Sequence, residues 1–382
     1  MRRGFFLLLA GISSLLALGD RYEISLFYRY LMNIYSINSI VSFSYIFLVF
    51  YLGYTITQIP GGLFAQKFGP SKIMGLSLIL WSSFLILIFI LHSFIVGIII
   101  SFLMGLSQGP IYPSMMQFLR DKYVDSEYPV ATSITTFFGD ISPAFIFTVS
   151  VLTYQIWKEP YLSPFLLASI GIITGIALVL IRDNYNYNRS FGKLRDLVQY
   201  SEYWILGISF LSYDAFFYIF LSWYPVMERI KDVNTANSYL SYLPWIFMGL
   251  SAILFGRIMS KLNKDLQLSG ISYFIILICT VIMILFAAPY VFLISSSIIL
   301  ALLNPILLGF WRLSSRISGS ANSSIAGGWM NFWGNLGGLV SPYLAAVSIE
   351  KFKLLGLMVV MLSFIILGIV TRIILGEIEN ED

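Results

Sequence analysis

The sequence predicts an all-α membrane protein with twelve transmembrane helices in two six-helix halves. Of its 382 residues, 58% are hydrophobic and only 11% are charged, whereas an ordinary soluble domain has about 25% charged residues. The apolar residues also fall in runs of about 20, the length that a helix needs to cross a hydrocarbon core of about 30 Å. A soluble globular fold is therefore excluded.

Charges, prolines and glycines divide the apolar runs into twelve predicted spans. The spans cover residues 5–28, 38–62, 73–91, 94–119, 129–152, 162–181, 203–226, 237–260, 268–287, 290–312, 322–348 and 353–375. The longest polar segment lies between the sixth and the seventh span. We therefore predict an N-terminal half at 1–182, a cytoplasmic linker at 183–202 and a C-terminal half at 203–382.

The distribution of basic residues predicts the orientation. Of the 23 lysines and arginines, 16 lie in segments that are cytoplasmic if the N-terminus is inside, and six lie in outside segments. We expect a multi-pass protein of the plasma membrane with both termini in the cytoplasm. The net charge of +4 then reflects these loops, and we expect no nucleic-acid partner. The single cysteine, Cys279, and the single histidine, His92, exclude a disulfide and a thiolate or histidine-rich metal site.

A weak internal repeat supports the division into halves. Residues Gly139–Phe145 in the fifth span resemble Gly338–Leu344 in the eleventh. Halves repeated in parallel place a substrate site near the bilayer midplane between them.

Four passages resemble a known family. Residues Gly53–Lys72 resemble the loop 2-3 signature of the major facilitator superfamily, and the Gln58–Gly62 part is similar to its anion:cation symporter family. Gly19–Ser25, Gly105–Pro113 and Met330–Gly338 resemble motifs of the first, fourth and eleventh helices of that family. The resemblance implies a twelve-helix carrier for organic anions such as sugar acids.

The ionisable residues within the spans are functional candidates because a charge at the bilayer centre is costly. The resemblance implies that Arg21 binds the substrate anion and that its neighbour Asp20 carries a proton. The planar guanidinium of Arg21 suits bidentate binding of a carboxylate. The alternative is a structural ion pair of Arg21 with Glu23 or Asp140.

Two further acids are candidates for proton coupling. Asp140 lies in the fifth span between Gly139 and Pro143, where a half-helix can bend, and Asp214 lies in the seventh span. Competition of Asp20 or Asp140 with the substrate for Arg21 would couple a proton to the anion. Asp140 as the cap of a helix break, and Asp214 as a satisfied buried acid, are the alternatives.

Five polar side chains complete the predicted binding set besides Arg21. Tyr54 and Gln58 share a face of the second helix, and Gln108 stands where the family has a second acid, so it cannot titrate. Tyr218 is expected to close the cavity from outside. Asn331 is expected to bind substrate, and Asn335 to pack between helices; Asn331 could equally bridge helices.

The cytoplasmic loop after the second span predicts a gate. Its residues are Gly62, Gln66, Lys67 and Gly69. Gly61, Gly62 and Gly69, together with Pro60 and Pro70, are expected to end the second helix and to shape a tight cytoplasmic turn. In the family this loop carries an aspartate that latches the halves, and Gln66 replaces it.

These observations predict a secondary active transporter for a small organic anion, a sugar acid or other monocarboxylate, with proton symport. An uncoupled facilitator or exchanger and a non-transporting nutrient sensor are the alternatives. No P-loop or nucleophile motif occurs in the sequence, so we expect neither an enzyme nor a cofactor. The expected partners are the substrate anion, protons and membrane lipid, and we expect a monomer.

Overall fold

The computed structural model describes residues 2–124, 127–183, 199–233, 240–262, 265–286 and 288–381. These residues are almost entirely helical, and no strand occurs among them. The chain folds into two compact units, Met1–Asn188 and Arg189–Asp382. The predicted linker at 183–202 falls mostly on 184–198, which lies outside the described residues, so the domain boundaries stay a prediction.

The N-terminal unit contains nine described helices. They are α1 Arg2–Leu26, α2 Tyr28–Ile34, α3 Ile40–Phe68, α4 Pro70–Ile90, α5 Phe94–Gln108, α6 Ile111–Lys122, α7 Tyr128–Asp140, α8 Ser142–Trp157 and α9 Leu162–Val179. Helices α7 and α8 are bent by 41° relative to each other. This is the bend that the sequence predicts at Gly139 and Pro143.

The described helices of the C-terminal unit are α10 Ser201–Ile230, α11 Leu243–Leu262, α12 Asp265–Leu285 and α13 Pro289–Glu381. Although α13 is helical over 93 residues, it is not one straight rod. A side chain at Gly356 would contact the carbonyl oxygen of Ser348 at 2.6 Å, and one at Gly327 would contact the Trp311 ring at 3.6 Å. Residues 8 and 16 positions apart would be about 12 and 24 Å apart along a straight helix. The chain therefore folds back twice within this element.

Helices of membrane-spanning length confirm a multi-pass membrane protein. Nine described helices are long and apolar enough to cross a membrane, or ten if the bent pair α7 and α8 is one span. The predicted eighth span corresponds to the shorter apolar helix Leu243–Met259, and the last two predicted spans both lie in Ala326–Gly376. The number twelve itself stays a prediction.

Small residues let the helices of the N-terminal unit approach closely. A side chain at Gly105 of α5 would overlap the carbonyl oxygen of Phe50, and one at Gly109 would overlap the Thr57 hydroxyl. Both contacts lie on α3. Gly105, Gly109 and Pro113 recur every four residues, a spacing from which the sequence predicts a packing stripe of small residues. The structure shows that Gly105 and Gly109 of this stripe form an α3–α5 contact, which fixes the part of α3 that carries Tyr54.

The predicted end of the second helix is confirmed at Gly69 and Pro70 and is wrong at Pro60, Gly61 and Gly62. Helix α3 continues through Pro60 to Phe68. The turn consists of Gly69, whose φ of 107° favours glycine, and α4 begins at Pro70. A side chain at Gly61 would overlap Pro110 at 2.6 Å, so the small size of Gly61 permits this close helix contact.

Candidate functional site

Three polar side chains form a continuous buried chain in the N-terminal unit. Nε and Nη2 of Arg21 donate to Oε1 of Gln108 at 3.1 and 2.8 Å. Nε2 of Gln108 lies 3.2 Å from Oδ1 and 3.3 Å from Oδ2 of Asp20. Asp20 and Arg21 are adjacent on α1 and point in different directions. The side-chain amide of Gln108 on α5 joins them. All three side chains are buried, with Arg21 5% exposed.

Gln108 performs two opposite hydrogen-bonding roles at once. Its amide oxygen accepts from the cation, and its amide nitrogen donates to the carboxylate and also to the carbonyl oxygen of Ala17 at 2.8 Å. An ionised glutamate has no donor for Asp20. The amide therefore suits this position between an acid and a base.

Asp20 has a second donor from another helix. Nε1 of Trp81 on α4 donates to its Oδ2 at 2.5 Å. Trp81 is fully buried, so this hydrogen bond is shielded from water. Trp81 was not among the predicted site residues, because an indole in an apolar run gives no sequence signal of its acceptor.

Aromatic rings of α3 surround the guanidinium. The Cζ atom of Arg21 lies 4.5 Å from the ring centroid of Tyr54, 5.1 Å from Phe50 and 5.4 Å from Tyr51. Such contacts attract a cation through the ring quadrupole while leaving its N–H groups for hydrogen bonds. The structure thus brings Tyr54 to Arg21. Gln58 is buried one turn further along α3, and its binding role stays a prediction.

Glu23 does not form the ion pair with Arg21 that the sequence left open. Its carboxylate accepts instead from the hydroxyl of Ser163 on α9 at 2.9 Å. Glu23 is the second residue after Arg21 and lies about 200° around the helix axis from it, so the two side chains point to opposite sides of α1. Glu23 therefore contacts other helices than those around Arg21.

Asp140 is the last residue of α7, at the bend before α8, and is buried. On the same helix, Gly139 lies against Ser14 of α1, where a side chain would meet the hydroxyl at 2.9 Å. Asp140 therefore belongs to the helix pair that packs on α1. Its role in proton coupling stays a prediction.

Three predicted residues lie in the C-terminal unit. Asp214 is half-buried on α10, so close to Gly334 of α13 that a side chain there would overlap its carboxylate. Tyr218 is buried one turn later, and Asn331 is half-buried on α13. The amide of Asn335 donates to the backbone carbonyl of Asn331 at 2.6 Å. The binding roles of these residues stay predictions.

The predicted gating residues lie at the end of α3. Gly62 and Gln66 are half-buried, Gly69 is buried and Lys67 is exposed. The ammonium of Lys67 lies 5.2 Å from the ring centroid of Phe68. The gating role stays a prediction.

The C-terminal unit buries ionisable residues that the sequence did not assign to the site. Glu228 is fully buried near the end of α10, beside Tyr224 and Ser241. Lys231 follows α10, is buried, and donates to the carbonyl oxygens of Ile284 and Phe286 at 2.6 and 2.8 Å. Arg372, which the sequence places among the cytoplasmic cations, is buried, and its Nε donates to Ser269 Oγ at 2.7 Å.

Metal binding has no visible basis in the described part of the chain. There, no group of three His, Cys, Asp or Glu side chains is placed to hold an ion. What the buried chain of Asp20, Gln108 and Arg21 offers is a hydrogen-bonding guanidinium beside a titratable carboxyl.

Comparison with known proteins finds relatives that are named as transporters of sugar acids. The chain is 22% identical over 378 residues to a hexuronate transporter of Bacillus subtilis, covering 91% of this chain and 87% of the relative. It is 23% identical over 352 residues to a probable galactarate/D-glucarate transporter of Escherichia coli, covering 79% and 77%.

Solved structures support the fold. A bacterial homologue of the human lysosomal transporter Spinster, inward-facing and unoccupied, matches with a TM-score of 0.79 at 14% identity, covering 98% of this chain and 96% of that one. The family model of the Major Facilitator Superfamily matches residues 9–342. The chain is therefore a multi-pass transporter that belongs to the Major Facilitator Superfamily and, within it, resembles sugar-acid and anion carriers.

Proposed function

We propose that this chain moves a small organic anion, a sugar acid or other monocarboxylate, across the plasma membrane by alternating access with proton symport. The observation that carries the proposal is the Arg21 guanidinium, buried over the Tyr54 ring and hydrogen-bonded to the Gln108 amide. Transporters named for hexuronate and for galactarate or D-glucarate are among the relatives.

The chemistry of this site favours a carboxylate over a neutral sugar. A guanidinium binds a carboxylate through parallel charge-assisted hydrogen bonds, which are about twice as strong as neutral ones. Gln108 is an uncharged acceptor, so a substrate carboxylate near Arg21 meets no fixed negative charge at that position. Asp20 lies on the far side of the Gln108 amide and is the proposed proton carrier, together with Asp140 and Asp214.

The remaining parts of the proposal follow the sequence. Tyr54, Gln58, Gln108, Tyr218 and Asn331 supply hydrogen bonds or ring contacts to the substrate. Gly62, Gln66, Lys67 and Gly69 form a cytoplasmic gate, and both termini lie in the cytoplasm. The carrier acts as a monomer.

Counterflow in proteoliposomes tests the anion proposal. Vesicles loaded with D-glucuronate should take up labelled D-glucuronate, L-galactonate should compete, and D-glucose should not. We expect exchange to be lost in Arg21→Ala, because the site then lacks its cation. Arg29→Ala is the matched control, since Arg29 is an exposed arginine of the same unit and its loss should leave exchange unchanged.

The outcome separates this function from the alternatives. Exchange of a neutral sugar that persists in Arg21→Ala would refute an anion site at Arg21. Binding without exchange, read as thermal stabilisation by ligand, would indicate a sensor. Exchange without accumulation in a pH gradient would indicate an uncoupled facilitator.

A further inference from the structure

A second carboxyl group is buried in the N-terminal unit beside the chain that joins Asp20, Gln108 and Arg21. Glu23 is fully buried on α1, one turn after Asp20. Its Oε1 accepts from Ser163 Oγ at 2.9 Å, and that hydroxyl lies 3.0 Å from Ser150 Oγ. Oε2 of Glu23 has no hydrogen-bond partner among the described residues.

Among the described residues, no opposite charge acts on Glu23. Ser163 of α9 and Ser150 of α8 are neutral, and the charged group that acts on Glu23 there is Asp20, a like charge on its own helix. Burying an ionised carboxyl without a counter-charge is unfavourable, and a like charge nearby adds to that cost. A proton on the unpartnered oxygen removes both costs.

We propose that Glu23 is a proton-binding carboxyl that couples proton movement to the anion site. This inference rests on the proposed symport function. A proton from water forms an O–H bond at Oε2, and the carboxyl becomes neutral without breaking a covalent bond. Loss of that negative charge makes the potential at Asp20 and Arg21 more positive, which favours an incoming anion.

The coupling is reciprocal. A bound anion near Arg21 must favour the protonated form of Glu23 by the same factor by which the proton favours the anion. The charge of Glu23 acts on Asp20 through space along α1, and buried contacts of 2.8 to 3.3 Å join Asp20 to Arg21 through Gln108, where water screens little. Ser163 orients the carboxyl and is a positioning residue.

The experiment measures proton and substrate movement separately. Proteoliposomes containing the full chain and a trapped pH-sensitive dye receive a pulse of D-glucuronate, and counterflow of labelled D-glucuronate is measured at equal pH on both sides. We expect Glu23→Gln to keep counterflow but to lose both dye acidification and accumulation in a pH gradient. Glu228→Gln, which neutralises the buried acid of the C-terminal unit, is the matched control and should keep all three.

Three outcomes would overturn the inference. The first is substrate-linked acidification that persists in Glu23→Gln. The second is wild-type accumulation that depends on Na⁺ instead of the pH gradient. The third is wild-type counterflow without acidification. Absence of wild-type counterflow for D-glucuronate and L-galactonate would instead refute the proposed function itself.

A second variant keeps the inference testable if Glu23→Gln does not fold. Ser163→Ala retains the acid but removes the hydroxyl that donates to it. Because that hydrogen bond favours the ionised form, we expect the midpoint of pH-dependent accumulation to move to higher pH by about one unit. An unchanged midpoint would contradict a proton site at Glu23.

Discussion

The Asp20–Arg21 pair of the N-terminal unit and Lys231 of the C-terminal unit have different kinds of hydrogen-bond partner, although Arg372 of the C-terminal unit also donates to a side chain, that of Ser269. In the N-terminal unit, Asp20 and Arg21 contact side chains from other helices, namely Trp81 and Gln108. In the C-terminal unit, the Lys231 ammonium donates to two backbone carbonyls. Backbone carbonyls at a helix end are fixed acceptors, whereas an amide or a carboxyl can exchange partners with a ligand or a proton. A responsive site is therefore expected in the N-terminal unit.

Tryptophan shows the same contrast. Trp81 in the N-terminal unit donates to the Asp20 carboxylate at 2.5 Å, whereas Trp223 in the C-terminal unit donates to the carbonyl oxygen of Pro342 at 2.9 Å. Both indoles are fully buried. They differ mainly in the charge of the acceptor, so they form a natural pair for experiment.

The largest expected effect comes from Gln108→Glu, which disrupts the hydrogen bonds that join Asp20, Gln108 and Arg21. An ionised glutamate cannot donate to Asp20 and would compete with substrate for Arg21, whereas a protonated one can still donate and accept. We expect D-glucuronate exchange to fall about tenfold at alkaline pH, equivalent to about 1.4 kcal/mol, and to recover at acidic pH. Exchange is measured at several pH values with equal pH across the membrane.

Gln108→Met is the control for that result. It has a similar size but makes neither hydrogen bond, so exchange should be reduced at every pH. A Gln108→Glu protein with the wild-type pH profile would show that the amide is not part of the responsive site.

A moderate effect is expected from Trp81→Phe, which sharpens the comparison of the two indoles. The substitution removes a hydrogen bond to a charged group, and the free energy of unfolding should fall by about 2 kcal/mol. Trp223→Phe removes a hydrogen bond to a neutral carbonyl, and the free energy of unfolding should fall by about 1 kcal/mol. Thermal unfolding of the two variants in the same detergent compares them. Equal losses would contradict the distinction between charged and backbone acceptors.

The smallest effect is expected from Lys231→Met. The variant loses the two hydrogen bonds to carbonyls at the end of α12, and we expect a loss of about 1 kcal/mol in the free energy of unfolding. Burial lowers the pKa of Lys231 from its usual value of 10.5, so between the folded and unfolded pKa values the unfolded chain binds more protons.

The contribution of Lys231 to the free energy of unfolding therefore rises with pH between the folded and unfolded pKa values of its side chain. The difference in midpoint temperature between wild type and Lys231→Met should widen as the pH is raised towards 10.5. Thermal unfolding across an alkaline pH series measures it, and Lys261→Met, a basic residue in the last turn of α11, serves as control. A constant difference would contradict the desolvated state of Lys231.

The sequence by itself determined the membrane class, the family, the small-residue stripe around Gly105 and the bend after Gly139. These features depend on local composition and spacing, because hydropathy sets where a helix crosses and small residues set where two helices can touch. The same local reasoning named Asp20 and Arg21, since a charge is conspicuous in an apolar run, whereas Tyr54 was named for the face of the second helix that it shares with Gln58. It ended α3 too early, because a proline and two glycines do not stop a helix whose neighbours support it.

The tertiary structure alone decided which partner each polar group has. Arg21 meets Gln108 across 87 residues, Asp20 meets Trp81 across 61, and Glu23 meets Ser163 across 140. Such contacts depend on the rotation and depth of each helix, which in turn depend on the packing of all its neighbours. For this reason the sequence could offer Glu23 as a partner of Arg21, and only the folded chain showed that it belongs to a different set of contacts.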